Sequence, residues 1–284
     1  MMRLRQFARR YRTGAAVLAV TLSVGHVAAH AEDAAKYPAF SGQWSRASAG
    51  AQWDPTKPGG LRQQAPLTAE YQAVFEANLK SLASGNEGYN GHSRCIPAGM
   101  PRMMLAYEPI DVIVTPETTY VRDYFNEFRR IFTDGRAWPA EIEPTFTGYS
   151  IGEWGDKDAN DRYTMLTVET RGFKGPRVFD ATGIPMHDDN KTVIKERIFL
   201  DAKNPDRLHD EVTTIDDALT RPWTVTRDYN REHDPVWPEF ICAEDNHHVM
   251  VGTETYFRGV DGVLMPTRKG QPPPPLRGFD SQPK

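Results

Sequence analysis

The sequence predicts a mainly β protein in which an antiparallel meander closes into a barrel or a strongly curved sheet, with one N-terminal helix. From residue 103 onward, short runs of alternating apolar and polar residues follow one another with turn residues between them, which is the pattern of half-buried strands. Residues 68–85 have apolar side chains at helical spacing instead. Strands that pair with their sequence neighbours close readily into barrels.

Each element follows from local signals. The helix is expected to begin after Thr68, a capping residue, and to end at Gly85. The turn-rich stretch 85–99 predicts no regular structure. A last hairpin is predicted to turn at Asp261-Gly262. Strands are predicted at 110–114, 119–125, 127–133, 146–154, 163–173, 192–201, 207–216, 223–229 and 239–243.

Residues 1–31 predict a cleavable signal peptide. Five arginines between positions 3 and 12 precede an apolar run from Ala15 to Ala29, and Ala29-His30-Ala31 fits a leader-peptidase site. The run is too short to cross a bilayer. We therefore expect a mature chain in the periplasm or outside the cell, with no integral membrane segment. Arg9-Arg10 leaves twin-arginine export open as an alternative to the general route.

The remaining chain divides by composition into an extended arm (32–66), a single β-rich domain (67–270) and a Pro-rich tail (271–284). Without the five leader arginines the chain carries 29 Lys and Arg against 38 Asp and Glu, a net charge of −9. This acidic balance, with no Lys/Arg cluster, argues against nucleic-acid binding. Nothing in the sequence predicts the oligomeric state.

Two cysteines, Cys95 and Cys242, lie in the mature part of the chain. An oxidising compartment favours their pairing, so we expect one disulfide. Closing so long a loop stabilises the fold by roughly 4 kcal/mol or more on the loop-entropy model. Two buried free thiols are the alternative.

Six short sequence motifs carry a resemblance: Phe40-Ser41-Gly42-Gln43-Trp44, Cys95-Ile96-Pro97, the run RRIFTDGR at 129–136, Gly148-Tyr149-Ser150-Ile151-Gly152, Glu196-Arg197 and Thr220-Arg221-Pro222-Trp223-Thr224. Through them the chain resembles a widespread group of exported, functionally uncharacterised bacterial proteins over nearly its whole mature length. That resemblance implies export and no particular activity. More loosely, Gly42-Gln43-Trp44 and the long meander are similar to those of lipocalin-like barrels.

The most informative residue is Glu196, because strand alternation places it on the same face as Ile194 and Ile198. An isolated buried carboxylate is very costly, so it must be paired or protonated. A raised pKa would suit a general acid or base. The alternative is a buried ion pair that fixes strand register, with Arg129, Arg130 or Arg221 as the partner.

Other residues are expected to complete a site around Glu196. Arg130 shares a strand face with Phe128 and Phe132, where a guanidinium binds carboxylates or aromatic rings. His187 lies in a loop and could act as a base. The expected catalytic residues are Glu196, His187 and Arg130, and the expected substrate-binding residues are Arg129, Arg197, Trp154 and Trp223.

The loop that starts at Asp156 has oxygen donors at the first, third and fifth positions, Asp156, Asp158 and Asn160, as calcium loops do. It departs from the calcium pattern at Asp161, where a Gly is expected, and at Thr167, where a Glu is expected. An acidic hairpin turn is favoured, with a weak calcium site as the alternative.

The sequence has no phosphate-loop or dinucleotide motif. Its 6 Trp, 11 Tyr and 13 Phe exceed what the core needs, and some are expected to line a cavity. We expect an exported protein that binds a small hydrophobic or aromatic molecule without a cofactor, and any enzymatic activity to be acid-base chemistry of the isomerase, lyase or hydrolase kind. The alternative is a non-catalytic envelope-binding or protein-interaction module. A closed apolar pocket reached by Glu196 favours the first, and a filled interior with an exposed aromatic patch favours the second.

Overall fold

A computed structural model describes residues 36–274, apart from residues 86, 87, 90, 92–94, 238, 246 and 253. The predicted signal peptide, the first residues of the arm and residues 275–284 of the tail lie outside the described part. Among the described residues, no helix is long and apolar enough to cross a membrane.

Nine strands form a closed barrel in sequence order, which confirms the predicted mainly β barrel. Alternation along each strand sends one set of side chains into the barrel and the other set outward. The strands are β1 (Gly42–Arg46), β2 (Ile110–Val114), β3 (Thr118–Arg122), β4 (Phe128–Phe132), β5 (Tyr149–Lys157), β6 (Tyr163–Arg171), β7 (Val193–Leu200), β8 (Arg207–Ile215) and β9 (Trp223–Arg231).

One neighbouring pair, β4 and β5, is parallel, which corrects the prediction of a fully antiparallel meander. Strands that alternate in direction around a closed ring must be even in number, so a ring of nine needs a parallel pair. Residues 133–148 return the chain from the end of β4 to the start of β5. The β4–β5 ladder is short, since only Ile131↔Ser150 and Phe132↔Ile151 are paired.

Strand β1 closes the ring, because Trp44 pairs with Ile110 of β2 and with Arg231 of β9. It lies inside the segment 32–66, so that segment is built into the barrel. Trp44 and Trp53 of this segment are fully buried, and burial of such large apolar side chains is what holds it in place.

The predicted helix is confirmed as α1 (Ala69–Ala83), with Thr68 as its N-cap. The Thr68 hydroxyl accepts the backbone N–H of Tyr71 at 3.4 Å, which satisfies one of the free donors of the first turn. The backbone N–H of Thr68 donates to Ala218, in the β8–β9 connection. We call this end of the barrel, which also carries the β3–β4 turn, the base.

After β9 the chain leaves the barrel and forms a three-stranded sheet of β10 (His248–Val251), β11 (Glu254–Arg258) and β12 (Leu264–Pro266). The predicted last hairpin is present as β11–β12, with residues 259–263 as its loop. The predicted strand at 239–243 is wrong, because Cys242–Asp245 form a single helical turn, α2. That segment is held by the disulfide and by the ring of Phe240, which packs against Tyr124 and Phe125.

Candidate functional site

Glu196 faces the barrel interior, as its strand position predicted, and is paired with Arg129. Arg129 donates from Nη1 to Glu196 Oε1 at 2.8 Å and from Nη2 to Oε2. The same guanidinium donates to Ser150 Oγ at 3.1 Å and to Thr170 Oγ1 at 2.8 Å. Both charged side chains have an exposed fraction of 0%. Of the two interpretations of Glu196, the geometry is that of the buried ion pair with Arg129.

Side chains fill the barrel interior around this pair. The void in the described part of the interior is about 20 Å³, which is room for about one water molecule. Its lining includes Ile131, Leu166, Ile198, Asp210 and Tyr229. The ligand chamber expected beside Glu196 is therefore not found among the described residues.

A second carboxyl, that of Asp210, is fully buried in the same interior. Burial raises the pKa of Asp210 well above its ordinary range, and the neighbouring Glu196 charge acts in the same direction. Neither carboxyl oxygen has a hydrogen-bond partner among the described residues. Burial without a hydrogen-bond partner therefore favours the protonated form of Asp210 over the ionised carboxylate.

The structure does not bring the expected catalytic residues together. Arg130 lies on the outer face of β4, exposed, with its guanidinium 5.1 Å from the centre of the Phe128 ring. His187 lies at the base, where its ring is 5.2 Å from that of Tyr71 and its Nδ1 accepts the N–H of Asp189 at 3.0 Å. The grouping of Arg130 and His187 with Glu196 around one ligand is thus not the observed arrangement.

The expected substrate-binding residues are also spread over the molecule. Trp154 lies near the end of β5 that points away from the base, with its ring 5.5 Å from Phe40. Trp223 begins β9 at the base and packs 5.0 Å from Phe179. Arg197 is on the outer face, paired with Glu211 at 2.6 Å. Arg129 is held in the buried ion pair with Glu196.

Arg197 lines an open groove of about 530 Å³ on the outer face of β5 to β8, beneath Trp138. Its cations are already neutralised, because Arg197 pairs with Glu211 and Lys195 lies 3.4 Å from Glu169. Exposed pairs of this kind contribute little and are screened by salt. The groove therefore offers a ligand no unpaired cation, and we do not assign the binding site to it.

In the candidate calcium loop, the carboxylates of Asp158 and Asp161 are engaged within the loop. Asp158 accepts the N–H groups of Asn160 at 2.8 Å and Arg162 at 3.0 Å, and pairs with the Arg162 side chain. Lys157 pairs with Asp161 at 2.8 Å. Among the described residues, no three His, Cys, Asp or Glu side chains converge as a metal site.

The predicted disulfide between Cys95 and Cys242 is confirmed, with the two Cα atoms 5.7 Å apart at a sequence separation of 147. It fastens the segment that follows α1 to the turn that precedes the C-terminal sheet.

Next to this disulfide lies a cavity of about 250 Å³, which we call the basal cavity. It opens to solvent beside Tyr89, Pro97 and Pro176, which are exposed. Its described lining residues are Tyr89, Gly91, Ile96, Pro97, Ala98, Arg102, Pro176, Arg177 and Val178. The lining thus combines apolar side chains with two arginines, a composition typical of small-molecule sites.

Both arginines of the basal cavity are buried, each with an exposed fraction of 4%. Arg177 donates from Nη2 to Thr192 Oγ1 at 2.7 Å, and Thr192 donates onward to Asp216 at 2.6 Å. Its Nε has no hydrogen-bond partner among the described residues. Burial lowers the pKa of Arg177 to about 10, so the guanidinium stays charged at neutral pH.

The cavity wall is fastened by a buried carboxyl of the β3–β4 turn, that of Glu127. Glu127 accepts the N–H groups of Ala98 and Gly99, the latter at 2.7 Å. Gly99 has φ +63°, and a Cβ there would approach the carbonyl oxygen of Phe146 to 2.4 Å, so the bend requires glycine. Burial raises the pKa of Glu127, and burial together with the Glu127 charge raises the pKa of Asp123 to about 7.

Sequence reasoning missed this site, because Arg102 and Arg177 stand in turn-rich segments without periodicity. One signal was available: Arg102 begins the run Arg102-Met103-Met104-Leu105, where a cation precedes three large apolar residues. A cation in such a run needs either solvent or a buried partner.

Comparisons with known proteins found no family model, no curated protein and no solved structure that matches the chain. Function must therefore be argued from the geometry alone.

Proposed function

We propose that the protein is an exported binding protein for a small aromatic or hydrophobic molecule, and that the ligand occupies the basal cavity. The single observation that carries the proposal is the cavity itself, with its apolar lining and two buried cations. Export is part of the proposal, supported by the signal-peptide pattern of residues 1–31 and by the Cys95–Cys242 disulfide.

The size of the cavity limits the ligand. A cavity of about 150 Å³ in another protein is enough to bind benzene, so about 250 Å³ accommodates one aromatic ring with a small substituent. Binding is favoured over turnover, because Glu196, the expected acid-base group, is held by Arg129 inside a filled barrel. The barrel then serves as a rigid support for a site at its mouth, where ligand sites are common.

Thermal shift and calorimetry with single-ring aromatic compounds test this proposal. We expect saturable binding to the wild-type protein and loss of it in Ala98→Leu, which places a larger side chain in the cavity. Ala137→Leu, at an exposed position of the β4–β5 connection, is the matched control and should bind as the wild type does. Unchanged binding in Ala98→Leu would remove the basal cavity from consideration.

Two observations favour a second candidate, a protein-interaction module. The barrel interior around Glu196 is filled by side chains. Large apolar side chains are exposed on and near the C-terminal sheet: Val236, Trp237, Ile241, Met250, Val260, Val263 and Met265. Contiguous exposed apolar surface is typical of interaction sites. The double variant Val260→Asp with Val263→Asp should leave small-molecule binding unchanged. It should weaken only the association of the protein with itself, which analytical ultracentrifugation measures.

A further inference from the structure

This inference rests on the basal cavity being the ligand site and concerns the chemistry of the ligand. We propose that the ligand carries an anionic group, a carboxylate or a similar oxyanion, which binds Arg177 while the aromatic part lies against the apolar wall.

The hydrogen bonds of Arg177 leave two of its five N–H groups, one on Nε and one on Nη2, for such a group. Nη2 is engaged by Thr192, and Nη1 lies 3.4 Å from the carbonyl oxygen of Met100 and 3.7 Å from the sulfur of Met186. Nε remains without a partner among the described residues. A buried donor without an acceptor is costly, and an oxyanion is its strongest acceptor.

The charge of Arg177 is not neutralised by contact. Within the described residues, no carboxylate lies within ion-pair distance of its guanidinium, whereas Arg129 at the barrel centre has Glu196. Asp216, the nearest acid in its hydrogen-bond chain, is engaged by Thr192 and by the N–H groups of His187 and Ala218. The carboxylates of Asp216 and Asp189 act on its charge from beyond contact distance. A buried cation without an ion-pair partner in contact is unfavourable, and an anionic ligand would supply that partner.

All charged side chains among the described lining residues of the cavity are cationic. Its described residues include Arg102 and Arg177 and no Asp or Glu. Glu127 directs its carboxylate at the N–H groups of Ala98 and Gly99 in this wall, and its charge interacts with that of Arg102. The described lining therefore presents two cations and no carboxylate to a ligand, a composition that favours anions over cations.

The arginine is also oriented. Its guanidinium carbon lies 4.4 Å from the centre of the Phe173 ring, a stacking that fixes the plane of the donors. The apolar wall of Ile96, Pro97 and Val178 lies along the same cavity. A planar aromatic acid fits both features, with the carboxylate at Arg177 and the ring against that wall.

Benzoate and benzyl alcohol separate this inference from the proposed function, because they share the ring and differ in charge. In calorimetry with the wild-type protein, we expect benzoate to bind at least tenfold more tightly than benzyl alcohol. Equal affinities would overturn the inference and leave the proposed function standing. Binding of neither compound, nor of larger aromatic acids, would overturn both.

Arginine variants locate the effect. Arg177→Met should weaken benzoate at least tenfold and leave benzyl alcohol within threefold, and circular dichroism reports whether the variant is folded. Arg177→Lys keeps the charge but loses the planar donor, so it serves as the second variant and should also weaken benzoate. Arg130→Met, which removes an exposed cation from the outer face, is the control. An equal loss of benzoate in Arg130→Met, or none in either Arg177 variant, would contradict the assignment.

Discussion

The Arg129 guanidinium binds the Glu196 carboxylate through both of its terminal nitrogens inside the barrel. Nη1 donates to Oε1 at 2.8 Å, and neither side chain is exposed to solvent. Ser150 and Thr170 take up two further donations from Arg129. The pair links β4 to β7 across the interior. It therefore bridges the β4–β5 ladder, in which only two residue pairs are formed. We interpret it as a structural element that fixes strand register.

Removing one member of this pair should destabilise the protein strongly. In Glu196→Leu the guanidinium of Arg129 stays buried without a counter-charge, and breaking a buried pair in this way costs about 3 to 5 kcal/mol. Urea unfolding measures the loss. The double variant Arg129→Met with Glu196→Leu should recover most of it, because the unpaired charge is then gone. A double variant as unstable as the sum of the two single variants would show that the charges do not act as a pair.

Asp210→Asn should stabilise the protein at neutral pH and not in acid. The pKa of Asp210 is raised by burial, so the folded protein holds a proton there that the unfolded chain releases above about pH 4. Folding is therefore opposed by this group at pH 7 and unaffected by it below pH 4. We expect a gain on the order of 1 to 3 kcal/mol at pH 7 in urea unfolding, which vanishes at pH 3.5. A gain of the same size at both pH values would contradict the raised pKa.

Glu127→Ala should loosen the wall of the basal cavity. The Glu127 carboxylate accepts the N–H groups of Ala98 and Gly99, and without it these buried donors have lost their acceptor. Hydrogen exchange at the two amides should speed up at least tenfold, and ligand binding should weaken. Glu153→Ala, on the exposed outer face, is the matched control. Unchanged exchange at 98 and 99 would mean that other contacts hold the wall.

Replacing both cysteines by serine should lower stability by about 5 kcal/mol, because the cross-link spans 147 residues of the unfolded chain. Guanidinium unfolding measures this, and adding reductant to the wild-type protein should produce the same shift. We also expect weaker binding in the basal cavity, since Ile96 and Pro97 of its wall directly follow Cys95. A reduced protein with unchanged midpoint and affinity would show that the disulfide has no part in either property.

Strand positions could be predicted from the sequence because alternation is a local property. The inward direction of Glu196 follows from its spacing to Ile194 and Ile198, and in the structure the Glu196 side chain is buried inside the barrel. Its partner could not be singled out, since Arg129 and Arg130 are adjacent and differ only in which face of β4 they take. Closure through Trp44 and the parallel β4–β5 pair depend on contacts between distant segments, and periodicity carries no information about those.

The basal cavity could not be predicted for a related reason. Its residues come from two segments, 89–102 and 176–178, that have no strand or helix period and approach each other only in the folded chain. The strand predicted at 239–243 failed where a disulfide and the ring of Phe240 replace strand pairing as the anchor. In both places tertiary contacts override local propensity.

A crystal structure of the protein grown with benzoate is the sharpest test of the anion site. We expect benzoate in the basal cavity, with a carboxylate oxygen within hydrogen-bond distance of the Arg177 guanidinium and the ring against Ile96 and Val178. Benzoate bound in the outer groove beneath Trp138, or inside the barrel beside Glu196, would contradict it.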